Sequence, residues 1–395
     1  MIVNKSFKYR LSPTIEQESL LLQHGGNARF LWNNLLKENM DYYEETKKFK
    51  FAHEMTVSIP KKKVEYPFLA VSFSQSLQMV ARQLDKALKD SFKTEKGFPK
   101  FKKKSLLNDS FACPQKFRLG KGFVFIPKVG EVNWVKHRAL QGKPKSITIS
   151  QDGNQWYCSV LCEVNISEKP KRQDNIVGID VGLKAFATLS DETKIENPKF
   201  AKKYERKLAR EQRRLSRKKK GSNNKFKQRL KVRSVHRKIG NSRNDFLHKI
   251  SSLIIKNFDG AVLENLNIKG MVKNHCLSKS ISDVSWFEFG RQLEYKSIWN
   301  SKHFTKVDRF YPSTKTCSFC GHIQNMPLDV RVFRCEKCHF EIDRDENASI
   351  NIKNEGLNII KNTDGQSGIY ACGDCVRPVF DRQYLLKQEK EGLVS

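Results

Sequence analysis

Apolar and polar positions alternate from the start of the chain. Val3, Phe7, Tyr9 and Leu11 share one side of a two-residue repeat that also takes in Lys5, which predicts a strand over residues 1–11. Ser12-Pro13 breaks it. Thr14 with Gln17 three residues on then forms a capping box, and the helix it opens is expected to end near Gly25-Gly26. Ala28, Leu31, Trp32, Leu35 and Leu36 give a second amphipathic helix. A third begins at Ser74 or Gln75 and carries Leu77, Ala81, Leu84 and Leu88 on one face. Ser146–Ser150 and Trp156–Val164, joined through Asp152-Gly153, read as a β-hairpin. The polar stretch Glu168–Asn175, with Pro170, reads as a linker. Beyond it, short apolar strands are separated by long helices, an α/β texture.

Length and charge sharpen this picture. The 395 residues are enough for two or three domains, and 38% hydrophobic residues suffice for real cores. The formal net charge of +32 points to a polyanionic partner, nucleic acid before membrane, and argues against an enzyme for small neutral substrates. No apolar run reaches the roughly 18–20 residues of a membrane span. The first residues lack the apolar core of a signal peptide, so a cytoplasmic location is the default expectation. Half of the charge is local. Lys202–Lys238 holds 18 Lys/Arg against Glu205 and Glu211, a net of +16, and Gly221–Asn224 divides it into two basic helices. A solvated helical face would carry both signs; one sign at this density needs phosphates to neutralise it. Arg210, Arg213, Arg214, Arg217, Lys218, Lys219 and Lys220 are the candidate contacts there. A second basic stretch, Lys96–Lys104, interleaves Phe98 and Phe101 with Lys100, Lys102, Lys103 and Lys104. Its rings can stack on bases or simply anchor a loop.

Three acids stand out against this basic background. Asp180 lies inside the apolar run Ile176–Leu189, where an acid is costly unless it binds something; the alternative is a turn residue at a hairpin tip. Gly178 and Gly182 beside it would admit another backbone or a substrate. Glu264 ends the apolar strand that follows the amphipathic helix of Phe246, Ile250, Leu253 and Ile254. Asp343 and Asp345 open a helix. Three converging carboxylates beside nucleic acid have one prominent use, holding two Mg²⁺ for phosphodiester chemistry. The separations of 84 and 81 residues leave convergence to the fold.

The ten cysteines belong to a chain without a secretion signal. Cys317-Ser-Phe-Cys320 and Cys335-Glu-Lys-Cys338, 14 residues apart, have zinc-ribbon spacing and predict one structural Zn²⁺ in a closed four-thiolate site. Two redox pairs are the weaker alternative, and His339 reads as a neighbour of the site, not a ligand. Cys113, Cys158, Cys162 and Cys276 are expected to be scattered buried thiols. Cys372 and Cys375 form a pair without a partner pair.

Together these motifs resemble the TnpB family of insertion-sequence proteins. Phe7–Pro13 with Asn27–Asn33 is similar to the family's so-called helix-turn-helix region, and Gly97-Phe-Pro-Lys-Phe-Lys102 to a family signature. Gly178-Ile-Asp180-Val-Gly182 resembles the first RuvC motif. Asn244–Lys249 followed by Leu263-Glu264-Asn-Leu266 resembles the second, and the cysteines with Asp343–Ala348 the third. Gly368–Gly373 resembles the C-terminal signature. His339 stands where the family usually has Gly, and Ser349 where it usually has Ala.

The resemblance implies an RNase H-like RuvC nuclease domain with a zinc ribbon, and a wedge-type β-barrel with an inserted helical recognition lobe. The wedge would be residues 1–15 and 110–170, the lobe 16–109 and the nuclease domain 171–395, with the ribbon at about 312–342. The label helix-turn-helix would be a misnomer for that lobe. The resemblance also implies a guide RNA from the mobile element, a double-stranded DNA target beside a short motif, and Mg²⁺-dependent cleavage by Asp180, Glu264 and Asp345. Asp343 competes with Asp345 for the third place. A strand-joining transposase, an RNA-guided repressor that does not cut and a zinc-stabilised RNA-binding protein are the competing readings. Intact acids argue against the repressor.

Overall fold

The computed structural model describes residues 1–93, 97–104, 109–167, 172–327 and 329–364. Cys372, Cys375 and the Gly368–Gly373 motif lie outside the described residues. The chain forms two compact units that interleave in sequence. The first takes Met1–Lys171, Asn197–Asn257 and Ile268–Lys302; the second takes Arg172–Glu196, Phe258–Asn267 and the chain from His303 onward.

The first unit is built on a seven-stranded antiparallel half-barrel sheet. Its strands are β1 (Ile2–Ser12), β2 (Ser110–Cys113), β3 (Arg118–Leu119), β4 (Phe123–Ile126), β5 (Gly130–Val135), β6 (Lys143–Asp152) and β7 (Gln155–Asn165), in the order β2-β6-β7-β1-β5-β4-β3. The alternation at the N-terminus becomes β1, whose Phe7, Tyr9 and Leu11 are buried. The expected hairpin is β6–β7, closed by Asp152 opposite Gln155. Three helices follow β1: α1 (Ile15–Thr46), α2 (Ala52–Glu65) and α3 (Ser74–Lys93). Thr14 and Gln17 form the capping box as expected.

Two helical expectations are corrected. The helix from Thr14 does not stop at Gly25-Gly26; it continues to Thr46 as one element. A Cβ at Gly25 would lie 2.6 Å from Asp109 Cβ, and Asp109 is ion-paired with Arg29 one turn on. The glycine is thus a close-approach site, and this contact offsets the roughly 1 kcal/mol that glycine costs inside a helix. Residues 1–48 are consequently one strand and one helix. The basic and amphipathic segments after Gly221 also merge, into one 35-residue helix. Cys276 is exposed, unlike the buried Cys113, Cys158 and Cys162, because it sits on the first turn of a short helix capped by Asn274.

The basic segment forms α4 (Phe200–Ser216) and α5 (Asn223–Asn257), joined by a turn at Gly221; α6 (Ile268–Met271), α7 (His275–Val284) and α8 (Trp286–Trp299) complete the unit. Two strongly positive helices pack together because Glu211, buried on α4, accepts from Gln228 of α5 at 2.7 Å and pairs with Arg214 at 3.2 Å. Arg233 holds Asp152 at 2.7 Å, which ties α5 to the β6–β7 turn.

The second unit has a five-stranded mixed sheet. Strands β8 (Ile176–Val181), β9 (Ala185–Leu189), β10 (Lys194–Glu196), β11 (Gly260–Glu264) and β12 (His303–Val307) run in the order β10-β9-β8-β11-β12. β8, β11 and β12 are parallel, whereas β9 and β10 are antiparallel to their neighbours. A two-stranded hairpin, β13 (Val332–Arg334) and β14 (Glu341–Asp343), leads directly into α9 (Arg344–Asp364). Ile352 and Ile360 of α9 pack on Ile176, Val262 and Val307. Among the described residues no helix is long and apolar enough to cross a membrane.

Candidate metal centres

Asp180 and Glu264 occupy the carboxyl ends of two adjacent parallel strands. Val262 pairs with Gly178 and Leu263 with Ile179, so Glu264 and Asp180 come level one step further on, on the same face. That face lies under α9. A Cβ at Gly178 would sit 2.5 Å from Lys353 N and closer still to Ser349 O, so β8 meets the helix backbone directly, as the glycine in the sequence suggested. Two residues along β8 cover about 6.6 Å, and one helical turn from Ser349 back to Asp345 about 6 Å. The helix start carrying Asp345 is therefore brought to the strand ends carrying Asp180 and Glu264. The acids are partly buried. Burial, and then the like charges of Glu264 and Asp345, push the Asp180 carboxyl up to about 8, against the opposing pull of Arg344 and the Val181 N–H. Burial also raises Glu264. An acid held so far above its ordinary value is poised to exchange its proton for a cation, and its oxygen-only surroundings suit a hard one.

Asp343 has a different occupation. Its Oδ1 accepts from the N–H groups of Asp345 at 2.9 Å and Glu346 at 3.3 Å, which makes it the N-cap of α9. Lys194 of β10 pairs with it at 3.1 Å and with Glu346 at 3.0 Å. Burial raises Asp343, but Lys194 and the two N–H groups outweigh it and leave the carboxyl below its ordinary value.

The four cysteines converge. Their sulfurs all lie within 4.8 Å of one another, with Cys317–Cys338 at 3.7 Å and Cys320–Cys335 at 3.6 Å. A tetrahedral ion with Zn–S bonds of about 2.3 Å requires sulfurs about 3.75 Å apart, so the set fits zinc with no open position. The two knuckles repeat each other. Gly321 N–H donates to Cys317 O and His339 N–H to Cys335 O, and both Gly321 and His339 are left-handed, at φ 74° and 60°. His339 thus holds a conformation that favours glycine.

The basic candidates lie in the first unit. Arg210, Arg213 and Arg214 are exposed on α4, Arg217 caps it, and Lys218–Lys220 are exposed in the turn that follows. Lys100, Lys103 and Lys104 are exposed too. Lys102 instead lies 3.8 Å from the Trp32 ring centroid, while its backbone exchanges hydrogen bonds with the Asn33 side chain. Desolvation lowers its pKa. Lys102 straps the segment to α1.

Sequence reasoning passed over Lys194, Arg344, Asn347 and Asn351. Arg344 donates to Pro327 O and Val330 O, and Asn347 and Asn351 are buried and bonded to the backbone before and around Cys317. The available signal was two asparagines one turn apart on the buried side of a helix.

Known proteins extend the picture. Residues 159–275 match a family described as "Probable transposase", 286–352 a "Cas12f1-like, TNB domain" and 1–48 a "Helix-turn-helix domain", the last on a segment that is strand and single helix here. A Streptomyces pristinaespiralis protein provisionally named RNA-guided DNA endonuclease is 34% identical over 95% of this chain and 92% of its own. Escherichia coli K12 InsQ, with the same provisional name, is 33% identical over 99% and 98%. A TnpB-like protein of Acanthamoeba polyphaga mimivirus is 28% identical over 54% of this chain and 44% of its own. The fold is similar to Cas12f1 as solved in a complex with sgRNA and target DNA, with a TM-score of 0.56 and 16% identity over 89% of this chain and 99% of that one. The chain belongs to the TnpB family, that of the insertion-sequence proteins named RNA-guided DNA endonucleases.

Proposed function

We propose that the chain is an RNA-guided DNA endonuclease that hydrolyses phosphodiesters at one RuvC-like site formed by Asp180, Glu264 and Asp345. The observation that carries the reading is the raised Asp180 carboxyl, set with Glu264 and Asp345 at the carboxyl ends of parallel strands in an otherwise basic chain. Ligands of open α/β sheets bind at such ends, and the mixed five-strand order supports an RNase H-like reading. Two Mg²⁺ held by these acids would supply an activated water and stabilise the leaving 3′ oxygen.

The chain's own residues set the conditions for that chemistry. Asp180 holds a proton in the metal-free site and must release it to act as a ligand. Arg344 favours the released state, and Lys194 keeps Asp343 as cap and out of the ligand set. Cys317, Cys320, Cys335 and Cys338 hold one structural Zn²⁺. The half-barrel serves as the wedge and α1–α3 as the recognition lobe. The exposed Arg and Lys of α4 and its turn, with Lys100, Lys103 and Lys104, neutralise phosphates of a guide RNA and its heteroduplex with target DNA, whose sequence is read by base pairing. The family relationship supports the guide and the DNA substrate.

The test is Asp180→Ala in protein purified with RNA from cells carrying the whole element. RNA-guided binding to a target should persist and cleavage with Mg²⁺ should vanish. Residual Mg²⁺-dependent cutting by the variant would remove Asp180 from the site.

A further inference from the structure

Asp345 sits on the first turn of α9, where helix N–H groups lack partners and fraying is easy. Asp343 caps that turn; two further attachments come from the cysteine-bearing segment. Arg344 N–H donates to Arg331 O at 2.8 Å, and its guanidinium reaches Pro327 O at 3.1 Å. Asn347, with none of its surface exposed, grips the residues on both sides of Cys317: its Oδ1 accepts from Ser318 N–H at 2.9 Å and its Nδ2 donates to Thr316 O at 2.7 Å. One turn on, Asn351 Nδ2 donates to Ser313 O at 2.8 Å and Thr316 O at 2.6 Å. A buried amide pairing with one N–H and one C=O of the same backbone fixes both distance and rotation. The first knuckle and the turn bearing Asp345 therefore move as one piece.

We propose that Asn347 is a positioning residue for the cleavage reaction, coupling the metal-loaded cysteine module to the helix turn that places Asp345. This rests on the reading of Asp345 as a cation ligand. With the module loaded, Thr316 and Ser318 are fixed and Asn347 holds the turn. With the amide removed, the module still binds its ion, but the turn is freed from it.

Coupling between two sites is reciprocal, so Mg²⁺ bound at the acids must strengthen zinc retention through the same amide. The experiment follows zinc release from the full-length protein with its RNA into a chromophoric zinc chelator, with and without Mg²⁺. Wild type should release zinc about fivefold or more slowly with Mg²⁺ present. Asn347→Ala should release it faster, at a rate indifferent to Mg²⁺, and Asp345→Asn should be equally indifferent. A purely structural Asn347 would speed release equally under both conditions and leave the ratio unchanged, which overturns the proposal. So does a wild type that ignores Mg²⁺, or a response that survives in Asp345→Asn. Should Asn347→Ala purify without zinc, Asn347→Asp keeps the acceptor for Ser318 while losing the donor to Thr316, and the wild-type and Asp345→Asn pair decides independently. A Mg²⁺ response in a protein that cuts no guided target would leave the coupling standing and bring down the endonuclease reading alone.

Discussion

Gly178→Ala puts the tightest junction of the second unit under strain. The new methyl would lie 2.5 Å from Lys353 N and 2.8 Å from Lys353 Cβ, with Ser349 O nearer still. Ordinary carbon contacts begin at about 3.5 Å, so α9 must retreat from β8 by about 1 Å. The obstacles are helix backbone, which cannot swing aside as a side chain would. Retreat opens the packing of Ile352 and Ile360 on Ile176, Val262 and Val307. Overpacking of this kind costs about 1–3 kcal/mol, and the upper end applies here, which lowers the melting temperature by on the order of 10 °C. The same shift displaces Asp345 from Asp180, and a misplacement of about 1 Å can cost roughly 100-fold in rate. Differential scanning calorimetry and single-turnover cleavage read the two effects. Gly240→Ala is the control: nothing lies within 4 Å of its new methyl, and alanine inside α5 should add about 0.5–1 kcal/mol. A Gly178→Ala protein that melts and cuts like wild type would refute the close junction.

Cys335→Ser should lower zinc below one ion per chain and reduce the yield of folded protein; unchanged stoichiometry by metal analysis would sink the four-thiolate site. His339→Gly should stabilise the module by about 1 kcal/mol, because a side chain at φ 60° is strained there, and should slow zinc loss to a chelator; faster loss would contradict this. Lys296 predicts a pH effect. Desolvation lowers its pKa from 10.5 to about 8, while its ammonium donates to His248 O, Ser251 Oγ and Ser252 Oγ. Between those two values the unfolded chain binds more protons, so this group makes stability rise with pH from about 8 to 10.5 and leaves it unchanged below. Lys296→Met should flatten that rise, by about 1–2 kcal/mol after solvent screening, in urea unfolding across the pH range; an unaltered profile would mean the lysine titrates normally.

Much of the fold was legible where the signal is local. The alternation of β1, the Thr14 capping box, the buried face of α3 and the β6–β7 hairpin each rest on residues a few places apart. So do the cysteine knuckles. The merging of helices at Gly25-Gly26 was not legible, because Asp109, which packs on Gly25, is 84 residues away. The choice between Asp343 and Asp345 was open for the same reason: the Lys194 that engages Asp343 lies on a strand about 150 residues earlier. Lys102 looked like its neighbouring lysines until Trp32 came to lie beneath it. In each case the deciding partner is remote, and a pattern of polarity carries no information about it.

The third acid differs from the other two in how it is held. Asp180 is flanked by β9 and β11, and Glu264 lies between β8 and β12, so hydrogen-bond ladders fix both backbones from two sides. A helix start has no such ladder. Its position depends on side chains, and here these are the Asp343 cap, the Arg344 link to the 327–331 segment and the Asn347 amide on the first knuckle. Two of the three attach to a segment too small to hold a hydrophobic core of its own: Met326 and Phe333 with Cys317 and Cys335 are its buried apolar residues. Bound metal can stand in for such a core, contributing on the order of 10 kcal/mol to ordering a module of this kind. The cysteines then serve the acids without touching them, by stiffening the support on which the least constrained of the three carboxylates is mounted.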